Sequence, residues 1–80
     1  MENMYVIYEW HGKKIARVAY TAFGREIAER MLWRFQNDIE SNEDTFYTFH
    51  KIVHGEQKKL YDGRWDEVVN RHGKFEIVRK

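Results

Sequence analysis

The stretch 21-TAFGREIAERMLWRFQNDIE-40 decides the fold. Successive residues of an α-helix advance by about 100°, so side chains three and four apart share a face. On that wheel Phe23, Ile27, Ala28, Met31, Leu32, Phe35 and Ile39 cover one half, and Glu26, Glu29, Gln36 and Glu40 populate the other. The period predicts one long amphipathic helix. Thr21 stands where its hydroxyl can accept an early backbone N–H, which predicts a cap there and a helix running to about Glu40. Trp33 breaks the pattern, because it falls about 280° from Phe23, among the glutamates of the polar half. A ring so placed is either an exposed contact for a partner, with Glu29, Gln36 and Asn37 around it, or a residue over which the C-terminal segment folds, against Trp65 or Phe75.

On the N-terminal side of that helix, Met4–His11 and Ile15–Tyr20 are rich in β-branched and aromatic residues and flank Gly12-Lys13-Lys14, the pattern of a hairpin. A three-residue loop pairing His11 with Ile15 puts Met4, Val6, Tyr8 and Trp10 beside Ala16, Val18 and Tyr20 on one nearly apolar face, with Glu9 opposite Arg17 on the other. On the C-terminal side, the polar connection Ser41–Asp44 leads to a third strand over Thr45–Val53. Asp62-Gly63, between Leu60-Tyr61 and Arg64-Trp65, has the composition of a type I′ hairpin turn. A short helix over Trp65–Arg71 competes with a strand there, and Phe75 and Ile77 alternate with charged residues as in a closing strand. His-Gly recurs at 11–12, 54–55 and 72–73, each time at a predicted turn and without repetition of the neighbouring residues, which points to turn chemistry. These elements predict an α+β fold: an antiparallel β-sheet, β-β-α-β followed by a β-rich C-terminal segment, with the long helix across one face.

Eighty residues suit a single domain over 1–80, and 42 % hydrophobic with 16 % aromatic residues lets a few large rings supply much of the core. The absence of cysteine excludes disulfides and thiolate metal sites, and no apolar run approaches membrane-spanning length, so a cytoplasmic protein without a membrane partner is expected. Fourteen Lys and Arg against thirteen Asp and Glu give a net charge of +1, which argues against a strongly basic nucleic-acid binder while leaving room for a local patch.

Little here points to catalysis. Ser41 is the one serine, and it lies in a polar connection. The five glycines are isolated, so no phosphate-cradling loop is visible. His50 and His54 have the spacing of a helical metal pair, but in a strand four residues span about 13 Å, too far to share one zinc, so no metal is expected. The carboxylate pairs Glu26/Glu29 and Asp66/Glu67 read as solvated surface. No enzyme activity and no cofactor are expected. Two binding surfaces remain. One is centred on Trp33. The other is a basic set, Lys58, Lys59, Arg64, Arg71 and Lys74, interleaved with Tyr61 and Trp65, which could hold single-stranded nucleic acid although Asp62, Asp66, Glu67 and Glu76 share the stretch.

The layout of Met4–Trp10, Ile15–Tyr20, Phe23–Ile39 and Thr45–Val53 resembles short reading frames of phages and prophages of Gram-positive bacteria, over about two-thirds of the chain. The resemblance carries no site residue. It implies a small protein acting by contact, for example one that blocks a host or defence enzyme. The leading expectation is therefore a non-enzymatic protein-binding domain, with self-association into a homodimer also compatible. A nucleic-acid-binding module is the alternative.

Overall fold

The computed structural model describes residues 3–38 and 44–80. Within them the chain forms β1 (Met4–His11), β2 (Lys14–Ala22), α1 (Arg25–Asp38), β3 (Thr45–Val53), β4 (Glu56–Asp62), β5 (Asp66–Arg71) and β6 (Lys74–Arg79). The strands make two antiparallel sheets, one of order β2-β1-β3-β4 and a separate hairpin of β5 and β6. The α+β class is as expected, but the helix is shorter, and the C-terminal strands divide between two sheets.

Both sheets pack on α1. From the four-stranded sheet Tyr5, Ile7, Tyr47, Phe49 and Tyr61 meet Ala28 and Leu32 of the helix, and Val68 of β5 completes the buried cluster. Tyr5 stacks on Phe49 with ring centroids 5.6 Å apart, and Phe35 stacks on Tyr47 at 5.3 Å. Because side chains alternate along a strand, Tyr8, Trp10, Phe46 and His50 lie on the opposite face. The nearly apolar face expected for the N-terminal hairpin is thus the one turned away from the helix.

The hairpin turn explains the shift. Two residues, Gly12 and Lys13, connect the strands instead of three, with His11 opposite Lys14 and Gly12 at φ 64°, as a type II′ turn requires of its first central residue. Bulges in β2 then restore Tyr8 opposite Val18 and Glu9 opposite Arg17, and a second irregularity puts Tyr20 opposite Ile7. Tyr20 consequently packs toward the core, and Ala16 leaves the expected row. The other His-Gly pairs behave as turn chemistry demands. His54-Gly55 and His72-Gly73 each place two successive residues at positive φ, the type I′ geometry that links β3 to β4 and β5 to β6.

The helix also differs from its wheel. Thr21 pairs with Val6 inside β2, so it cannot cap; the Gly24 carbonyl instead accepts the first helical bond, from Ala28 N–H at 3.2 Å. Ala28 and Leu32 are buried on every side, while Phe23 and Ile27 are 64 % and 57 % exposed. The buried arc is rotated toward Trp33 and Gln36 because the β5–β6 hairpin covers that flank. Expectations for Ile39, Glu40 and Ser41–Glu43 fall outside the described residues.

Asp62-Gly63 does not join two paired strands. It forms the corner at which the chain leaves the first sheet for the second. Gly63 N–H donates to the Tyr47 carbonyl at 2.8 Å, and a Cβ there would stand 3.1 Å from that oxygen. Residues 66–71, read alternatively as a helix, are strand β5.

Candidate functional site

The face of the four-stranded sheet turned away from the helix carries the partly buried rings of Tyr8, Trp10, Phe46 and His50 together with charged side chains. Register builds it in rows across the strands. Ile15, Trp10 and Phe46 form one row, Val18, Tyr8, Thr48 and Asp62 the next, and Thr21, Val6, His50 and Lys59 a third. In the first row the Trp10 and Phe46 rings lie within 4° of parallel, centroids 5.9 Å apart, and the Arg64 guanidinium carbon sits 4.6 Å from the Phe46 centroid. The result is a ladder of two rings and a planar cation, an arrangement favoured by the charge distribution of aromatic faces.

A hollow of about 280 Å³ lies over the middle of these rows, with Thr48, 2 % exposed, at its floor. Trp10 and Phe46 wall it, while Lys13, Lys59 and Arg64 stand at its rim. The Trp10 indole N–H donates to Thr48 Oγ1 at 2.7 Å, and His50 Nε2 lies 2.9 Å from the same oxygen. An indole nitrogen can only donate. The Thr48 hydroxyl thus accepts from Trp10 and keeps both a proton and a second lone pair with which to meet the His50 ring. Burial and the neighbouring Lys59 ammonium hold the His50 pKa below its ordinary value.

Asp62 organises the cations. Its carboxylate accepts from Arg64 Nη2 at 2.9 Å, Nε at 3.1 Å and backbone N–H at 3.0 Å, and from Lys59 Nζ at 3.2 Å. Burial pushes the Asp62 pKa up, but the Arg64 guanidinium, its backbone N–H and Lys59 outweigh burial and bring it down to about 2. The rim accordingly holds three cations against one carboxylate that is already saturated with donors.

Next to the ladder, the edge strand β2 exposes two large apolar side chains among Lys14, Arg17 and Thr21. Ile15 and Val18 are 51 % and 53 % exposed, and Phe23 and Ile27 are exposed where the strand hands over to α1. No described strand pairs with that edge.

The residues singled out from sequence are scattered. Trp33 is half-buried, its ring 5.7 Å from Phe75, so the C-terminal segment packs against it. Gln36 is committed internally: Nε2 donates to the Val68 carbonyl at 2.9 Å, and Oε1 accepts from Val68 N–H at 2.7 Å and Tyr61 OH at 3.1 Å. Glu29 pairs with Arg25 at 3.5 Å, and Asn37 donates to the Trp33 carbonyl at 2.8 Å. Of the basic set, Lys59 and Arg64 meet at the hollow. Tyr61 points to the opposite side, into the core, and its pKa is raised by burial. Lys58 is exposed on β4, Trp65 is exposed at the corner, Arg71 pairs with Glu76 at 3.6 Å, and Lys74 lies beside Phe75 near Glu26 and Glu29. The stretch therefore offers no single basic surface. Trp10, Phe46, Thr48 and Lys13 were not singled out, and His50 was weighed only as a metal ligand, because only the pairing of β1 with β3 brings them together.

No family model matches this chain, and no curated protein or solved structure matches it.

Proposed function

We propose that this domain is a non-enzymatic protein-binding module that takes an extended segment of its partner along the outer edge of β2. What supports the reading is the exposure of Ile15 and Val18 on this nine-residue edge strand, with Phe23 and Ile27 exposed just beyond its end, in the connection to α1 and in the first turn of that helix. An unpaired edge presents N–H and C=O groups that a further strand can satisfy, and large apolar side chains beside it give such a strand something to bury. Lys13 and Lys14 at the hairpin tip favour a partner with acidic residues at that end of its segment, whereas Arg17 and Arg25 are already paired with Glu9 at 3.4 Å and Glu29 at 3.5 Å. The resemblance to phage reading frames points to one biological form of such binding, the blocking of a host or defence protein.

The test is affinity capture from a host lysate by the native chain, by Ile15→Lys/Val18→Lys and by Trp33→Ala, followed by amide hydrogen exchange of the complex. A protein lost only with the β2 double variant, together with new protection of β2 amides on binding, supports strand addition. Capture indifferent to the β2 variant, or lost equally with Trp33→Ala in a folded protein, contradicts it. A concentration-dependent dimer abolished by the same double variant would make a second copy the partner.

A further inference from the structure

We propose that the hollow above Thr48 binds a nucleotide, free or as one unit of a single-stranded nucleic acid. This site adjoins the β2 edge and shares Lys13 with it, but its test reads nucleotide binding on the chain alone and does not depend on protein binding there. Three observations converge on the ligand. The hollow of about 280 Å³ lies at the small end of ligand pockets, the size for one compact group and too small for a long flat chain of them. Its wall is planar and delocalised. The Trp10–Phe46 stack ends on the Arg64 guanidinium, whose side chain is 50 % exposed, and bases stack on such rings and guanidinium planes.

The rim supplies the phosphate chemistry. Asp62 fixes Arg64 through Nε and Nη2, so Nη1 and its two hydrogens point elsewhere, and Lys59 spends one of its three donors on the same carboxylate. Lys13 adds a third cation from the β1–β2 turn. Holding the cations on a buried carboxylate lowers the ordering cost when an anion arrives, and it fixes Arg64 in the plane of the ladder. The His50 ring, held by its Nε2 contact to Thr48, turns Nδ1 away from that contact, where it can hydrogen-bond a base. A phosphopeptide would use the same cations but not the stacking wall, so it stands as an outcome that the experiment separates.

The experiment is an NMR titration of the full chain with adenosine monophosphate, a single-stranded oligonucleotide, inorganic phosphate and a phosphoserine peptide in turn. The expected result is a shift of the Trp10 indole N–H and of Arg64 and Thr48 resonances with the nucleotide, leaving the Trp33 indole unmoved. Affinity for the nucleotide should exceed that for phosphate and the phosphopeptide, and Lys13→Gln and Lys59→Gln should each weaken it by about tenfold. Lys13 sits in an exposed turn, so its variant tests the site without endangering the fold. Tighter binding of the oligonucleotide, with a salt slope that falls in the lysine variants, identifies a nucleic acid strand as the source; equal affinity per nucleotide identifies the free form. No shift at Trp10, equal binding of phosphate and nucleotide, or affinity unchanged in both lysine variants would overturn the proposal.

Discussion

Replacing Gln36 by Ala should cost this domain about 3 kcal/mol. The side-chain amide lies against β5 like a rung of ladder: it donates to the Val68 carbonyl, accepts from Val68 N–H, and with the same oxygen accepts the Tyr61 hydroxyl. Val68 is 2 % exposed and Tyr61 is buried, so water does not replace the lost partner without opening the interface. A hydrogen bond contributes about 1 kcal/mol net, and leaving a buried donor or acceptor unpartnered costs about 1–3 kcal/mol. Three groups lose their partner at once. Partial hydration of the space left by the side chain limits the total to about 3 kcal/mol, against a global stability of roughly 4–12 kcal/mol for a chain of this length. Urea unfolding followed by tryptophan fluorescence measures the loss. Gln36→Leu separates the causes, because it fills the space but pairs none of the groups: it should lose about as much as Gln36→Ala. A loss below about 0.5 kcal/mol for Gln36→Ala, the ordinary size for a surface change, would refute the reasoning, and so would full rescue by leucine.

Leu32→Ala should lose about 2–5 kcal/mol, whereas Ile27→Ala should lose less than about 1 kcal/mol, since Leu32 is wholly buried and Ile27 is 57 % exposed; parallel denaturation curves check the contrast. Acid unfolding should carry the signature of Asp62. Its folded pKa of about 2 lies below the ordinary 3.8, so its stabilising contribution of about 2 kcal/mol is complete above pH ~4–5 and fades as pH falls toward 2; Asp62→Asn should flatten stability over that window. Gly55→Ala should cost about 1–2 kcal/mol, because its φ of 82° is strained for any side chain even though nothing crowds the position, and thermal unfolding with Gly24→Ala as comparison measures it.

The helical period over Ile27–Phe35 was legible because 3.6-residue spacing survives any tertiary arrangement, and so were the strands on both sides of it. The wheel could not show the second sheet. Trp33 and Gln36 look misplaced on a helix that buries one face, and become ordinary on a helix that packs against β5 and β6 as well as the larger sheet. Glu9 opposite Arg17 was readable from local pairing, but the two-residue turn and the bulges that decide the fate of Ala16 and Tyr20 were not, since both loops satisfy the same composition. Asp62-Gly63 was read as a hairpin turn because the dipeptide fits one; the side-chain bonds from Asp62 to Arg64 that make it a corner come from three-dimensional placement. The outer-face ladder is the least legible part. Trp10 and Thr48 are 38 positions apart, and no local pattern announces the β1–β3 register that joins them.

Solvent relaxation enhancement of methyl and indole signals by a soluble gadolinium chelate tests the central arrangement most directly: a helix enclosed between two sheets, with the far side of the larger sheet open. Ile15, Val18 and Ile27 methyls and the Trp65 ring should relax strongly, while Ala28, Leu32 and Val68 methyls stay protected and Trp33 falls between. Protected Ile15 and Val18 methyls together with a strongly relaxed Trp33 would place the cover on the wrong face and contradict it.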